Sequence, residues 1–168
     1  MKKKIIISII VIISLVIVFI IGMGKKNGVL LCTSTMIEDD VTIVTTYEVS
    51  YKDRIVTKLH SVEEIESDDS ELLTNYRLLL ESMYEPYVDL KYYSNKIIMK
   101  KDSLASITNV DYTKIDINKF KSIDSTNENL YDNGKIKIGK VRDMYEETGA
   151  RCREKRWNFY KNNVDYYW

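Results

Sequence analysis

Hydrophobic positions divide this chain into a uniformly apolar stretch, an alternating stretch and stretches with helical spacing. From Ile5 to Gly24 no side chain is charged, and Ser8 and Ser14 are the only polar ones. Twenty helical residues at ~1.5 Å each span about 30 Å, the thickness of a bilayer's hydrocarbon layer. A helix apolar on every face has no polar side to give to water. The pattern therefore predicts a transmembrane helix over residues 5–24, behind a cytoplasmic basic stub at 1–4. After a hinge at 25–28, alternation begins. VLLCTSTM reads as a first strand and IEDDV as a turn with Asp39-Asp40 at its tip. In VTIVTTYEVSY, Val41, Ile43, Thr45, Tyr47, Val49 and Tyr51 share one face, and Thr42, Thr46, Glu48 and Ser50 the other. A turn at Lys52-Asp53 returns RIVTKLHSVEEI as a third strand, giving an antiparallel meander with one buried face.

The period then changes. Asp68 and Glu71 form a candidate capping box, and Pro86 sets a stop. Between them Leu72, Leu73, Tyr76, Leu79, Leu80 and Met83 fall on one helical face. YVDLKYY and KIIMKKDSLASIT flank Ser94-Asn95 and read as a second hairpin. Ile117, Phe120 and Ile123 fit a short helix near 116–123. STNENLYDNG reads as a polar loop closed by Asn-Gly, and KIKI as a short extended piece. GKVRDMYEETG predicts a final helix with Val141, Met144, Tyr145 and Thr148 inward and Gly149 as its C-cap. RCREKRW follows as an edge strand. The expected class is α+β: an antiparallel sheet of about five or six strands with helices on one face, spanning 29–156, followed by an aromatic tail at 157–168.

Charge refines the membrane reading. The formal net charge is zero, but five lysines lie in the leader. Beyond residue 26, 20 basic residues face 25 acidic ones, a net of −5. Lys2, Lys3, Lys4 and the amino terminus precede the apolar run, against Lys25 and Lys26 after it. The positive-inside rule then leaves the N-terminus in the cytoplasm and the domain outside. A cleavable signal would end at a small-x-small site, and Gly22-Met23-Gly24 is a poor one, so an uncleaved anchor is favoured. A mildly acidic domain outside the membrane is not expected to bind nucleic acid. Abundant Ile, Lys, Asn and Tyr with a single Pro suit an AT-rich bacterium.

Three features carry candidate chemistry. Cys32 and Cys152 are the only cysteines, and two cysteines outside a membrane invite a disulfide; the alternative is two buried thiols. With His60 they supply too few ligands for zinc, so neither a metal nor a cofactor is expected. His60 is the single histidine and stands in no nucleophile context, so no catalytic residue is assigned and no enzyme is expected. The acidic run VEEIESDDSE matches no calcium loop; Asp68, Asp69 and Glu71 sit where a helix dipole favours negative charge. The C-terminus interleaves Arg151, Arg153, Lys155, Arg156 and Lys161 with Trp157, Phe159, Tyr160, Tyr166, Tyr167 and Trp168. Such mixtures suit anionic headgroups, acidic wall polymers or a protein partner. The competing role is simple packing of Trp157 and Phe159.

The runs TYEVSYKDRIVTKLHSVEEI, VDYTKIDINKF and KIKIGKVRDMYEETGARC resemble the YehR-like bacterial envelope lipoproteins over roughly residues 29–153. The resemblance implies a strand meander, a helix, a second hairpin and a C-terminal helix ending in Gly. It implies no biochemical activity and no functional residues. Those lipoproteins carry a small residue before a lipidated cysteine; here Leu31 precedes Cys32, eight residues beyond the apolar run. A transmembrane helix would then replace the lipid. The expected function is a non-enzymatic, single-pass extracytoplasmic domain that binds an envelope protein, membrane component or anionic polymer. A small-ligand or metal-binding envelope module is the alternative, and nothing in the pattern fixes the oligomeric state.

Overall fold

The computed structural model describes residues 27–124 and 129–155. The expected anchor at 5–24 and the tail at 157–168 lie outside the described residues. No helix among the described residues is long and apolar enough to cross a membrane.

The meander forms as β1 (Gly28–Glu38), β2 (Val41–Lys52) and β3 (Ile55–Glu66). Gly28 belongs to the first strand, not to a hinge. It pairs with Tyr51, whose hydroxyl lies 2.7 Å from where a Cβ would stand, so a larger residue there would have to push the Tyr51 ring aside. The second turn is Asp53-Arg54, one residue later than alternation suggested. Both residues have positive φ (51° and 66°), the pattern of a tight hairpin turn that matches strand twist. Lys52 therefore stays paired with Ile55. A register shift between Ser50 and Tyr51 makes Thr57 a bulge, with its hydroxyl donating to the Ser50 carbonyl at 3.1 Å. The bulge reverses the phase of β3: Val56 points inward, and beyond it Leu59, Ser61, Glu63 and Ile65 do so.

Helix α1 is Ser70–Tyr84. Its cap is Asp69 rather than Asp68: the Asp69 carboxylate accepts from the amides of Glu71 (2.9 Å) and Leu72 (3.1 Å). Leu73 and Leu80 are buried, whereas Leu79 and Met83 are 54 % and 55 % exposed, contrary to the six-residue stripe expected. The helix covers only one end of the sheet, so a narrow i, i+7 seam suffices. Pro86 does not start a strand. The chain continues as a 3-10 turn (Glu85–Tyr87), and residues 88–92 remain irregular around buried Leu90. The second hairpin is β4 (Tyr93–Met99) with β5 (Ser103–Asp111), turning at Lys100–Asp102. Ser94-Asn95 lies inside β4 because the Asn95 amide is drawn across to β5, donating to Ser106 Oγ and Thr108 Oγ1, each at 2.9 Å.

Helix α2 (Ile117–Ile123) is capped by Asp116, whose carboxylate accepts from the Asn118 and Lys119 amides. The segment read as a loop holds a small hairpin, β6 (Tyr131–Asp132) and β7 (Lys135–Ile136), around Asn133-Gly134 with φ of 50° and 73°. Helix α3 (Ile138–Glu147) buries Val141 and Tyr145; Thr148 is exposed rather than inward. At its end Gly149 (φ 89°) allows the Gly149 amide to reach the Glu146 carbonyl and the Ala150 amide the Tyr145 carbonyl. This paired closure turns the chain straight into β8 (Arg151–Lys155).

The strands form one antiparallel sheet in the order β4-β5-β3-β2-β1-β8, with β6-β7 apart. All three helices pack on one face. Leu73 and Leu80 of α1 meet Val41, Ile65 and Leu104 at one end. Val141 and Tyr145 of α3 meet Leu30, Val49 and Val56 at the other, and Phe120 of α2 packs with Leu90, Val110 and Ile115.

Candidate functional site

Strand register determines what each sheet face offers. On the helix-bearing face one row runs Leu30, Val49, Leu59, Val110, Tyr93, and another Met36, Ile43, Ile65, Leu104, Met99. Two rows lie between them: Cys32, Tyr47, Ser61, Thr108, Asn95, and Ser34, Thr45, Glu63, Ser106, Ile97. A polar band thus crosses the middle of a face whose two ends are hydrocarbon. Ser106 and Thr108 are buried there and satisfied by Asn95.

Aromatic side chains wall this band. Tyr47 stacks on Tyr145 of α3, centroids 4.0 Å apart and planes 16° apart. Tyr87 stacks on Tyr93 at 4.9 Å. Burial pushes the Tyr47 phenol up, and the nearby Glu63 carboxylate and Tyr84 push it further. Tyr93 is raised by burial first, then by Tyr84 and Tyr87, against a lowering hydrogen bond with Thr108. Burial raises the Glu63 carboxyl above its ordinary value. A cavity of about 740 Å³ opens at the β4 end, lined by Glu81, Ser82, Tyr84, Glu85, Val88, Tyr93, Ser94, Asn95 and Ile97. Among the described residues no cluster of three or more His, Cys, Asp or Glu is placed to hold a metal.

The residues expected from sequence fall elsewhere. Cys32 and Cys152 stand directly opposite in β1 and β8, Cα atoms 4.1 Å apart, and form a disulfide. Cys32 is fully buried. The bridge belongs to the core under α3. Glu154, also in β8, accepts from the Tyr51 hydroxyl at 2.8 Å and from Arg142 of α3 at 2.5 Å. Burial, then the Glu154 carboxylate, pushes the Tyr51 phenol up to about 12. Arg151, Arg153 and Lys155 pair with Thr33, Leu31 and Val29, on the open face away from the helices. Lys155 ion-pairs with Glu48 there at 2.8 Å. Arg156, Trp157, Phe159, Tyr160 and Trp168 lie outside the described residues. His60 is also on the open face, its Nδ1 2.8 Å from Asn109 Oδ1. In the acidic run, Asp69 caps α1 and Glu71 sits in its first turn.

The tyrosine-walled polar band was missed from sequence. One signal was available: Thr45 interrupts the apolar alternation of β2 on its inward face. The inward placement of Glu63 had no such signal, because it depends on the bulge at Thr57.

No protein-family model matches the chain, and no curated protein matches it. Among solved structures, the NMR structure of the E. coli YehR protein aligns with a TM-score of 0.55 at 16 % identity, covering 83 % of this chain and 100 % of that one. The NMR structure of a protein from Streptococcus pneumoniae TIGR4 aligns with a TM-score of 0.47 at 19 % identity, covering 79 % and 88 %. The chain has a YehR-like fold.

Proposed function

We propose that this chain is a non-enzymatic domain, tethered outside a bacterial cell membrane by residues 5–24, that binds an acidic envelope partner through the open face of its sheet. The observation that carries the reading is how the sheet's charge is divided. Every lysine and arginine of the six strands, from Lys52, Lys58 and Lys96 to Arg151, Arg153 and Lys155, stands on the open face. Between them lie the aliphatic side chains of Val44, Val62, Ile98 and Ile107, which no helix among the described residues covers. Glu48, Glu64, Glu66 and Asp111 share that face, so its six cations outnumber its four carboxylates, and an apolar centre with a mixed, net basic rim suits a protein or polymer surface of opposite sign. A disulfide between the first and last described strands is consistent with an oxidising compartment.

The test is photocrosslinking in cells that express the full chain. A crosslinking residue at Val62 or Arg153 should give a discrete adduct, and one at Leu78, on the far side of α1, should not. Equal labelling at all three positions, or none at Val62 and Arg153, sinks the reading.

A second reading, a small-ligand module, is favoured by one observation. The polar band on the helix-bearing face exposes tyrosine hydroxyls and a carboxylate where packing alone would call for hydrocarbon.

A further inference from the structure

Charge is divided along the strands as well, end against end. β1 runs eleven residues from Gly28 to Glu38, roughly 35 Å at ~3.3 Å each. At the Glu38 end the β1–β2 turn carries Glu38, Asp39 and Asp40, and the link from β3 to α1 carries Glu66, Asp68 and Asp69, all exposed. The β4–β5 turn adds Lys100, Lys101 and Asp102 there. At the Gly28 end the sign reverses. Lys52 and Arg54 flank Asp53 at the β2–β3 turn, Lys155 stands opposite Val29 at the end of β8, and Lys137 bridges to Ile55 just before α3. All four cations are exposed. Lys137 and Lys155 pair with Asp132 and Glu48, whereas among the described residues Lys52 and Arg54 make no ion pair.

Local contacts gather this end around the point where the chain enters the domain. The Asn27 side chain accepts from the Asp53 amide at 2.8 Å, which holds the β2–β3 turn against the residue preceding β1. The Ile138 amide donates to the Arg54 carbonyl at 3.0 Å and draws the start of α3 to the same turn. Only residues 25–27, Lys25 and Lys26 among them, separate Gly28 from the apolar run that ends at Gly24. From Gly24 to Gly28 an extended chain reaches at most about 14 Å. The headgroup layer is ~5–7 Å deep on each side of a bilayer, and charge acts over ~8 Å at physiological salt. With residues 5–24 in a membrane, the Gly28 end therefore lies within range of headgroup charge. The acidic end, roughly 35 Å along the strand, is free to stand outside that range.

We propose that the Gly28 end of the sheet is a basic foot that docks on the anionic phospholipid headgroups of the bilayer holding residues 5–24. The inference rests on the tether proposed above and adds what a tether alone does not give, an orientation. The ammonium groups of Lys52, Lys137 and Lys155 and the guanidinium of Arg54 meet headgroup phosphates. An anionic surface attracts this end and repels the Glu38 end, so the strands stand away from the membrane instead of lying along it. The open face of the sheet is then turned sideways, clear of lipid, where an envelope partner reaches it.

The experiment is amine-reactive footprinting of the full chain in nanodiscs, read by mass spectrometry at each lysine. One set of discs is phosphatidylcholine alone, and the other contains about one-third phosphatidylglycerol. Lys52, Lys137 and Lys155 should label about threefold more slowly in the anionic discs, and Lys100 and Lys101 equally in both. Salt at about 0.5 M removes the difference. Inorganic phosphate added to the phosphatidylcholine discs does not reproduce it. Lys52→Glu combined with Arg54→Glu abolishes the protection of Lys137 and Lys155, while Lys100→Glu combined with Lys101→Glu preserves it. Thermal melts confirm that each variant is folded, and the milder Lys52→Gln with Arg54→Gln gives a smaller loss of the same kind. Equal labelling in the two kinds of disc, or protection that survives reversal of Lys52 and Arg54, overturns the foot and leaves the tether standing. Protection by inorganic phosphate alone overturns the lipid assignment. A chain that stays in the aqueous fraction and enters no phosphatidylcholine disc overturns tether and foot together.

Discussion

Ile65 and Glu63 stand two residues apart on β3, point to the same side of the sheet and meet opposite surroundings. Ile65 is fully buried against Val41, Leu73, Leu80 and Leu104, in a cluster made only of hydrocarbon. Glu63 has Thr45 and Ser106 beside it, and Tyr47 diagonally across on β2. The same strand thus meets two environments within about 7 Å, the rise of two strand residues. The apolar ends of this face hold the helices down. The band between them gives up burial and offers hydrogen-bonding groups in its place. Hydrocarbon packing and hydrogen-bonding groups are separated by row within one face.

That separation can be broken from the stable side first. Ile65→Ala removes a fully buried side chain between α1 and the sheet and should cost about 3–4 kcal/mol, read as a lower denaturation midpoint. Cys152→Ser opens a bridge across 120 residues and frees β8 from β1, with an expected loss of about 3 kcal/mol. Reducing agent should destabilise the parent chain by a similar amount and leave that variant unaffected. Gly149→Ala places a side chain at φ 89°, where the closure of α3 needs glycine, and should cost roughly 1 kcal/mol.

The smallest effect has the opposite sign and sharpens the contrast most. Burial raises the Glu63 carboxyl above its value in the unfolded chain, so the folded state holds that proton more tightly. Its favourable contribution is present below the usual Glu range and is lost as pH rises through the elevated value. At neutral pH the ionised group therefore weakens the fold. Glu63→Gln should raise the Tm slightly at pH 7, and the gain should shrink toward pH 4. A loss at neutral pH would place Glu63 among the stabilising residues and erase the distinction between the two rows.

Much of this molecule was legible one residue at a time. The apolar positions of β2 and of α3 and the breaks at Asp39-Asp40 and Gly149 follow from periods of 2.0 and 3.6 and from turn chemistry, which are local properties. The antiparallel sheet with helices on one face follows in turn, because a meander with one apolar face has only that face to cover. What tertiary structure decided were relations between distant segments. Asn95 looked like a turn residue until Ser106 and Thr108 gave its amide partners in a strand. Leu79 and Met83 looked like core residues, but α1 spans too little of the sheet to bury them. Glu63 turned inward because a bulge at Thr57 shifted the phase of β3, and strand pairing set Thr45 and Ser106 beside it. Periodicity records which residues share a face; only packing determines what that face meets, since each contact joins positions whose spacing along the chain carries no information about the other.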